Sequence, residues 1–193
     1  MFFFCSDDSI ETLLSWETAY ELDTQHLIQK NTLLANLTKL TKEWRVSFEF
    51  KPTNYNTKGY AQILHMTTGG KSGNVGDRTP ALMIHKTKGV YIVTTLNGEP
   101  SVEHFSKKKP ARNKWSAVEI IQTKKGSKYT FSVTLNNKKL WARENNKPDE
   151  FEDVKVYASS NWYAAQPGYI RKLRIENMIP GKNRNLMYRQ QIK

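Results

Sequence analysis

From Glu43 to Phe50 the chain alternates: Trp44, Val46, Phe48 and Phe50 are apolar, and the odd positions between them are polar. Lys128 to Leu135 repeats the pattern through Tyr129, Phe131, Val133 and Leu135, and Asp153 to Ala158 does so more briefly. A period of two sends one set of side chains into a core and the other into water, as in a half-buried β-strand. Lys114 to Gln122, with Trp115, Val118, Ile120 and Ile121, reads instead as a strand buried on both faces. Further strands are expected over 62–67, 81–86, 90–96, 138–143 and 168–176, with short ones at Leu27-Ile28 and Leu33-Leu34.

Turn chemistry punctuates these runs. Asn97-Gly98 is a two-residue hairpin signal because both residues tolerate positive φ. Asn136-Asn137 is a weaker version, Lys124-Lys125-Gly126-Ser127 closes another hairpin, and 145–149 is a loop. Roughly ten or more closely spaced strands specify an all-β fold, an antiparallel two-sheet jelly-roll sandwich, with a barrel as the other closed form the pattern admits. The ends differ. Ser9 to Tyr20 holds Ile10, Leu13, Leu14 and Trp16 and reads as a helical turn or an apolar strap, and Pro180 to Lys193 is polar and basic without a period. The expected organisation is an N-terminal strap over 1–23, a sandwich over 24–177 and a basic tail over 178–193.

With 193 residues the chain fits one domain with a sizeable core. No apolar run approaches the roughly 20 residues of a membrane-spanning helix. The apolar stretch Met1 to Cys5 is shorter than a signal-peptide core and is followed at once by Asp7-Asp8. Cys5 is the single cysteine, so no intrachain disulfide and no thiolate cluster for zinc can form. The net charge of +12 is uneven: residues 1–96 hold 10 Lys+Arg against 9 Asp+Glu, and residues 97–193 hold 20 against 9. Lys107, Lys108, Lys109, Arg112, Arg171, Lys172 and Arg174 are therefore candidate contacts for a polyanion. That ligand would be a sulphated glycan or an anionic surface, with nucleic acid not favoured. The other reading is that these cations solvate the outer faces of strands.

Catalytic patterns are sparse. Retaining glycan hydrolysis needs two carboxylates about 5–5.5 Å apart. Glu21-Leu22-Asp23 lacks the second Glu of the strand motif, Glu150-Phe151-Glu152-Asp153 reads as a solvated turn, and Glu49 and Glu119 each lack a partner in register. There is no Gly-x-Ser-x-Gly elbow. Gly69-Gly70-Lys71-Ser72 contains a Gly-Lys-Ser triplet, but a phosphate loop needs glycine where His65 stands, and a helix after it where a strand is expected. The stretch 65–85 reads as a connection between strands, its glycines permitting positive φ and Asp77-Arg78 and Pro80 fixing its exit. If it closes a hairpin, His65 and His85 lie near each other as a two-histidine metal site; the other reading is two structural histidines. Asp77 is the candidate ligand for an ion.

Asn161-Trp162-Tyr163-Ala164-Ala165-Gln166 sets two adjacent aromatics in an extended loop, where both cannot face one core. One reading stacks Trp162 or Tyr163 on a sugar ring, with Asn161 and Gln166 bonding hydroxyls. The other makes the loop a plug over the sandwich.

Several phrases taken together resemble laminin-G-like and concanavalin-A-like modules of secreted or surface proteins. They are Lys42 to Pro52, Thr67-Thr68-Gly69-Gly70 running to Gly76-Asp77-Arg78-Thr79-Pro80, Asn113-Lys114-Trp115, and Val154 to Ser159 followed by Trp162 to Gly168. The resemblance covers roughly residues 24–177. It implies a concanavalin-A-like jelly roll, a lectin-like role more often than catalysis, and an extracellular or cell-surface place. The ligands it implies are glycans, sulphated polysaccharides or protein partners, in some members with calcium at the sandwich rim, here at Asp77. The function expected is a non-enzymatic binding module for a glycan, a polyanion or a protein. The alternatives are a glycan hydrolase or lyase with an acid pair assembled from separate strands, and a structural domain held by its terminal segments.

Overall fold

The computed structural model describes residues 14–69 and 73–180, except for the side chain of Pro180. Met1 to Leu13, the Gly70-Lys71-Ser72 triplet and the tail over 181–193 lie outside the described residues. Fourteen strands follow in order: β1 Leu14–Leu22, β2 His26–Leu27, β3 Leu33–Leu40, β4 Trp44–Pro52, β5 Tyr60–Thr67, β6 Ala81–His85, β7 Val90–Leu96, β8 Glu99–Phe105, β9 Ser116–Lys125, β10 Lys128–Leu135, β11 Lys138–Asn145, β12 Phe151–Tyr157, β13 Ala164–Ala165 and β14 Gly168–Pro180. They form two seven-stranded sheets. The first runs β1-β14-β4-β9-β10-β11 with β2 beside β14, and the second runs β3-β12-β5-β6-β7-β8 with β13 beside β5. All pairings are antiparallel except β13 with β5. The fold is a two-sheet jelly-roll sandwich.

The alternation in β4 is the packing itself: Trp44, Val46, Phe48 and Phe50 are buried between the sheets. The same inner layer takes Phe131 and Val133 from β10, Ile170, Leu173 and Ile175 from β14, and Leu64, Met66, Leu82, Ile84, Ile92, Val154 and Val156 from the second sheet. Trp44 meets Phe131 edge-on at 6.1 Å. Strand β9 departs from the two-faced reading. Ser116, Val118, Ile120 and Gln122 point in, whereas Ala117 is exposed and Glu119 and Ile121 are half-buried. Trp115, just before it, is half-buried against Lys51 and Arg171 and adds nothing to the core.

Residues 14–22, expected as part of a strap, pair with β14 from Leu14↔Pro180 to Leu22↔Leu173. Residues 14–22 therefore belong to the first sheet as well. The Asn97-Gly98 and Asn136-Asn137 turns both have the expected positive φ at each asparagine. A buried amide relay joins the sheets at one end. Asn97 and Asn146 exchange bonds with Asn145 and Asn97 (Asn97 N–H to Asn145 Oδ1, 2.9 Å; Asn146 N–H to Asn97 Oδ1, 2.6 Å). Asn145 Nδ2 donates to Gln122 Oε1 at 2.7 Å, and Gln122 Nε2 donates to the Lys42 carbonyl at 2.8 Å.

Candidate functional site

Strands β6 and β7 are apolar on both parities, as the runs Ala81-Leu82-Met83-Ile84 and Val90-Tyr91-Ile92-Val93 show. One parity faces the sandwich core. The other makes a second cluster on the outer face of this sheet, built from Ala81, Met83, Tyr91 and Val93, with Tyr60, Phe105 and Tyr163 packed on it. Water normally faces such positions with polar residues. Here the floor is covered by aromatic rings that stay half-open: Tyr60, His85, Phe105 and Tyr163 are all half-buried.

Pairing register sets this ring array. Tyr60 opens β5 opposite His85, which closes β6, and Tyr91, second in β7, stands opposite Phe105, which closes β8. Tyr60 therefore lies 4.8 Å from His85 and 4.9 Å from Tyr91, and Tyr91 stacks on Phe105 at 4.4 Å. Tyr163 meets Tyr60 edge-on at 5.9 Å. The Tyr91 hydroxyl donates to the Glu103 carboxylate. Burial first, and then that carboxylate, push the Tyr91 hydroxyl far above its ordinary value, so it stays protonated and donating. Lys88 Nζ sits 4.0 Å over the Phe105 ring at the border of the array.

The loop between β12 and β13 carries Trp162 and Tyr163 over this face. Gln62 holds it in place: its Oε1 accepts from Ser160 N–H at 2.7 Å and from the Ser160 hydroxyl at 2.9 Å. The Ser160 hydroxyl oxygen in turn accepts from Trp162 N–H. Trp162 lies edge-on to His65 at 4.6 Å and beneath the Arg78 guanidinium at 5.4 Å. Arg78 also donates to the Ser101 hydroxyl at 2.6 Å. His65 is fully buried, and its Nε2–H donates to the Asp77 carbonyl at 2.8 Å. Desolvation lowers its pKa to about 4, so the ring is neutral.

The structure separates the residues picked out from the sequence. Trp162 and Tyr163 share the outer face of the second sheet, and Asn161 beside them in the chain is exposed. Gln166 is fully buried, its Nε2 donating to the carbonyls of Asn54 and Pro167. Lys107, Lys108, Lys109 and Arg112 lie on the loop between β8 and β9 at the adjoining end of the sandwich. Arg171 and Lys172 are on the first sheet, where both hold Glu49 (2.6 and 3.0 Å). Arg174 turns toward β1, with Thr18 at 2.8 Å and Glu176 at 3.3 Å. Asp77 is buried, and its carboxylate accepts the Asn74 N–H at 2.8 Å. Among the described residues no three His, Cys, Asp or Glu side chains come together as metal ligands. His65 and His85 are not neighbours: they face Ala81 and Tyr60, at opposite ends of β5.

A second concavity, a cleft of about 300 Å³, lies on the outer face of the first sheet, lined by Glu49, Glu119, Thr134, Asn137 and Lys172 among others. The pairings Ser47↔Glu119 and Glu49↔Ala117 make the two glutamates diagonal neighbours. Partial burial alone would raise the Glu49 pKa, but the hydrogen bonds and charges of Lys172 and Arg171 outweigh it and hold the carboxyl below its ordinary value. Glu49 is thus an ionised group with both oxygens engaged.

Sequence reasoning missed Tyr60, Tyr91 and Phe105 as site residues and read His85 only as half of a metal pair. The available signal was the double-parity apolar character of 81–84 and 90–93, which marks a sheet with two covered faces.

No family model and no curated protein matches the chain. Among solved structures it is similar to the carbohydrate-binding module CBM40 of a Ruminococcus gnavus sialidase bound to α2,3-sialyllactose, at 13% identity and a TM-score of 0.57, covering 82% of this chain and 92% of that one. It is also similar to a heptameric SAP-like pentraxin from Limulus polyphemus, at 12% identity and a TM-score of 0.52, covering 84% of this chain and 74% of that one. A third likeness is to the receptor-binding domain of botulinum neurotoxin D, at 13% identity and a TM-score of 0.54, covering 94% of this chain and 49% of that one. What the chain shares with these proteins is the antiparallel two-sheet jelly roll.

Proposed function

We propose that the protein is a non-enzymatic glycan-binding module and that sugar docks on the outer face of the second sheet. The observation that carries this reading is the half-open array of Tyr60, Tyr163, His85 and Phe105 on a face that water would otherwise claim. Pyranose rings present apolar C–H faces that stack on aromatic rings, while their hydroxyls take bonds at the edge. Asn161, Arg78 and Ser101 supply polar groups at that edge. The likeness to a sialyllactose-bound carbohydrate-binding module supports the same reading at the level of fold. Two cations hold Glu49 ionised, so it has no proton to donate and would not be the general acid of a hydrolase acting there.

A glycan array probed with the wild type, Trp162→Ala and Tyr163→Ala is the test. The expected result is one or a few glycan signals, weakened about tenfold in Tyr163→Ala, the size of roughly 1.4 kcal/mol of lost ring contact. A profile unchanged in both variants would remove this face as the site.

A further inference from the structure

The end of the sandwich next to the aromatic array is built from loops that hydrogen-bond to one another. The 53–59 loop is tied to the 106–115 loop through the Tyr55 hydroxyl to the Pro110 carbonyl, and Asn113 N–H bonds the carbonyl of Pro52 at the end of β4 (2.8 Å). The 86–89 loop joins both, through Lys86 N–H to the Gly59 carbonyl (2.8 Å) and Gly89 N–H to the Ser106 carbonyl (3.1 Å). The last contact is close: a Cβ on Gly89 would lie 2.1 Å from the Ser106 hydroxyl and 2.4 Å from the Lys108 carbonyl. The charge on this end is of one sign. Lys58 stands on the first loop, Lys86 and Lys88 on the second, and the 107–109 lysine run with Arg112 on the third, all exposed, and none of the three loops contains Asp or Glu.

We infer that this end is a second binding surface, for a linear sulphated polysaccharide. Three features point there. Fixed loops hold the cations close together at a cost in self-repulsion, and a polyanion relieves that repulsion by displacing counterions. The aromatic rings at this end already carry the protein's own cations: Lys109 lies over Tyr55 at 4.8 Å, Lys51 over Trp115 and Tyr169 at 4.9 and 5.1 Å, and Arg171 over Trp115 at 4.0 Å. Bases would need those faces for stacking, so a polymer read through charge alone fits better than a single-stranded nucleic acid. The surface also runs without a break into the sugar-binding face, because Lys88 caps Phe105 and Lys109 Nζ donates to the Lys86 carbonyl at 3.0 Å. One saccharide chain can therefore reach from one surface to the other. The choice of polymer rests on the glycan reading above; the basic end itself does not.

The experiment titrates heparin oligosaccharides against the intact protein in rising salt. It compares the wild type with the quadruple variant Lys107→Gln, Lys108→Gln, Lys109→Gln, Arg112→Gln, and with Tyr163→Ala. The quadruple variant is expected to bind heparin at least tenfold more weakly. Its log–log salt slope should be smaller by about 3, since each neutralised charge contributes roughly 0.7–0.9. It should keep the array signals of the wild type, while Tyr163→Ala keeps heparin binding and shows array signals weakened about tenfold. Heparin affinity within twofold of wild type in the quadruple variant overturns the proposal. So does tighter binding, at equal salt, to single-stranded or duplex nucleic acid of matched charge, or to phosphatidylserine vesicles. Weakening of the array signals in Tyr163→Ala alone, with heparin untouched, bears only on the sugar-binding face.

Discussion

His65 is a base held in a place where it stays neutral until well below its ordinary titration range. It supports the loop over the outer face from below, with its Nε2–H on Asp77 and its ring edge on Trp162. Its pKa is near 4 when folded and about 6.5 when unfolded, so the unfolded chain takes up a proton first as pH falls. The stability tied to the neutral ring is present in full above pH 6.5. It is lost progressively down to about pH 4, and amounts to about 3 kcal/mol by the linkage relation. Urea midpoints measured from pH 7.5 to 4 are expected to fall across that window, and to fall less in His65→Gln. A His65→Gln curve parallel to wild type would show that other groups govern acid sensitivity. None of this was legible in the sequence, where His65 stands 20 residues from His85 and suggests a metal pair, because only the strand register reveals that the two face different partners.

At the scale of the element, the strands were readable and the way their ends meet was not. Strand β7 and strand β10 fall where the alternation and turn signals place them, since Asn97-Gly98 and Asn136-Asn137 force tight hairpins. Strand β1 escaped because its alternation is weak and most of it is exposed. What recruits it is the unpaired edge of β14. Strand β14 shows the clearest local constraint. Gly168 has φ +149, and a Cβ there would lie 2.2 Å from the Lys51 carbonyl, where β14 passes closest to β4. Gly168→Ala is expected to destabilise the fold by about 1–3 kcal/mol through backbone strain and displacement of the β4 end. Differential scanning calorimetry checks this; a melting temperature within 1 °C or so of wild type would contradict it.

Across the whole molecule, the two sheets are fastened by polar groups as well as by their shared core. The relay from Asn97 through Asn145 and Gln122 to Lys42 links the β7–β8 hairpin to strands β11 and β9. Asn145 and Gln122 are each 3% exposed, so removing one partner leaves the other's amide stranded. Asn145→Ala is expected to cost about 2–4 kcal/mol, read as a lower urea midpoint with an unchanged slope. The sandwich class was legible from periodicity, and the positive charge of the second half from counting. That the lysines of 107–109 would join Lys58, Lys86 and Lys88 at one end depends on loop closure between distant segments, which no local pattern encodes.

The pairing Leu14↔Pro180 has a consequence for how the module can be mounted. Gly168 and Pro180 mark opposite ends of β14, roughly 40 Å apart at about 3.3 Å per residue. Leu14 and Pro180 thus lie side by side at the end of β14 away from Gly168, which pairs with Pro52 next to the 53–59 loop. Labels or fusions attached at residues 14 and 180 would therefore stand side by side, at the opposite end of β14 from Gly168.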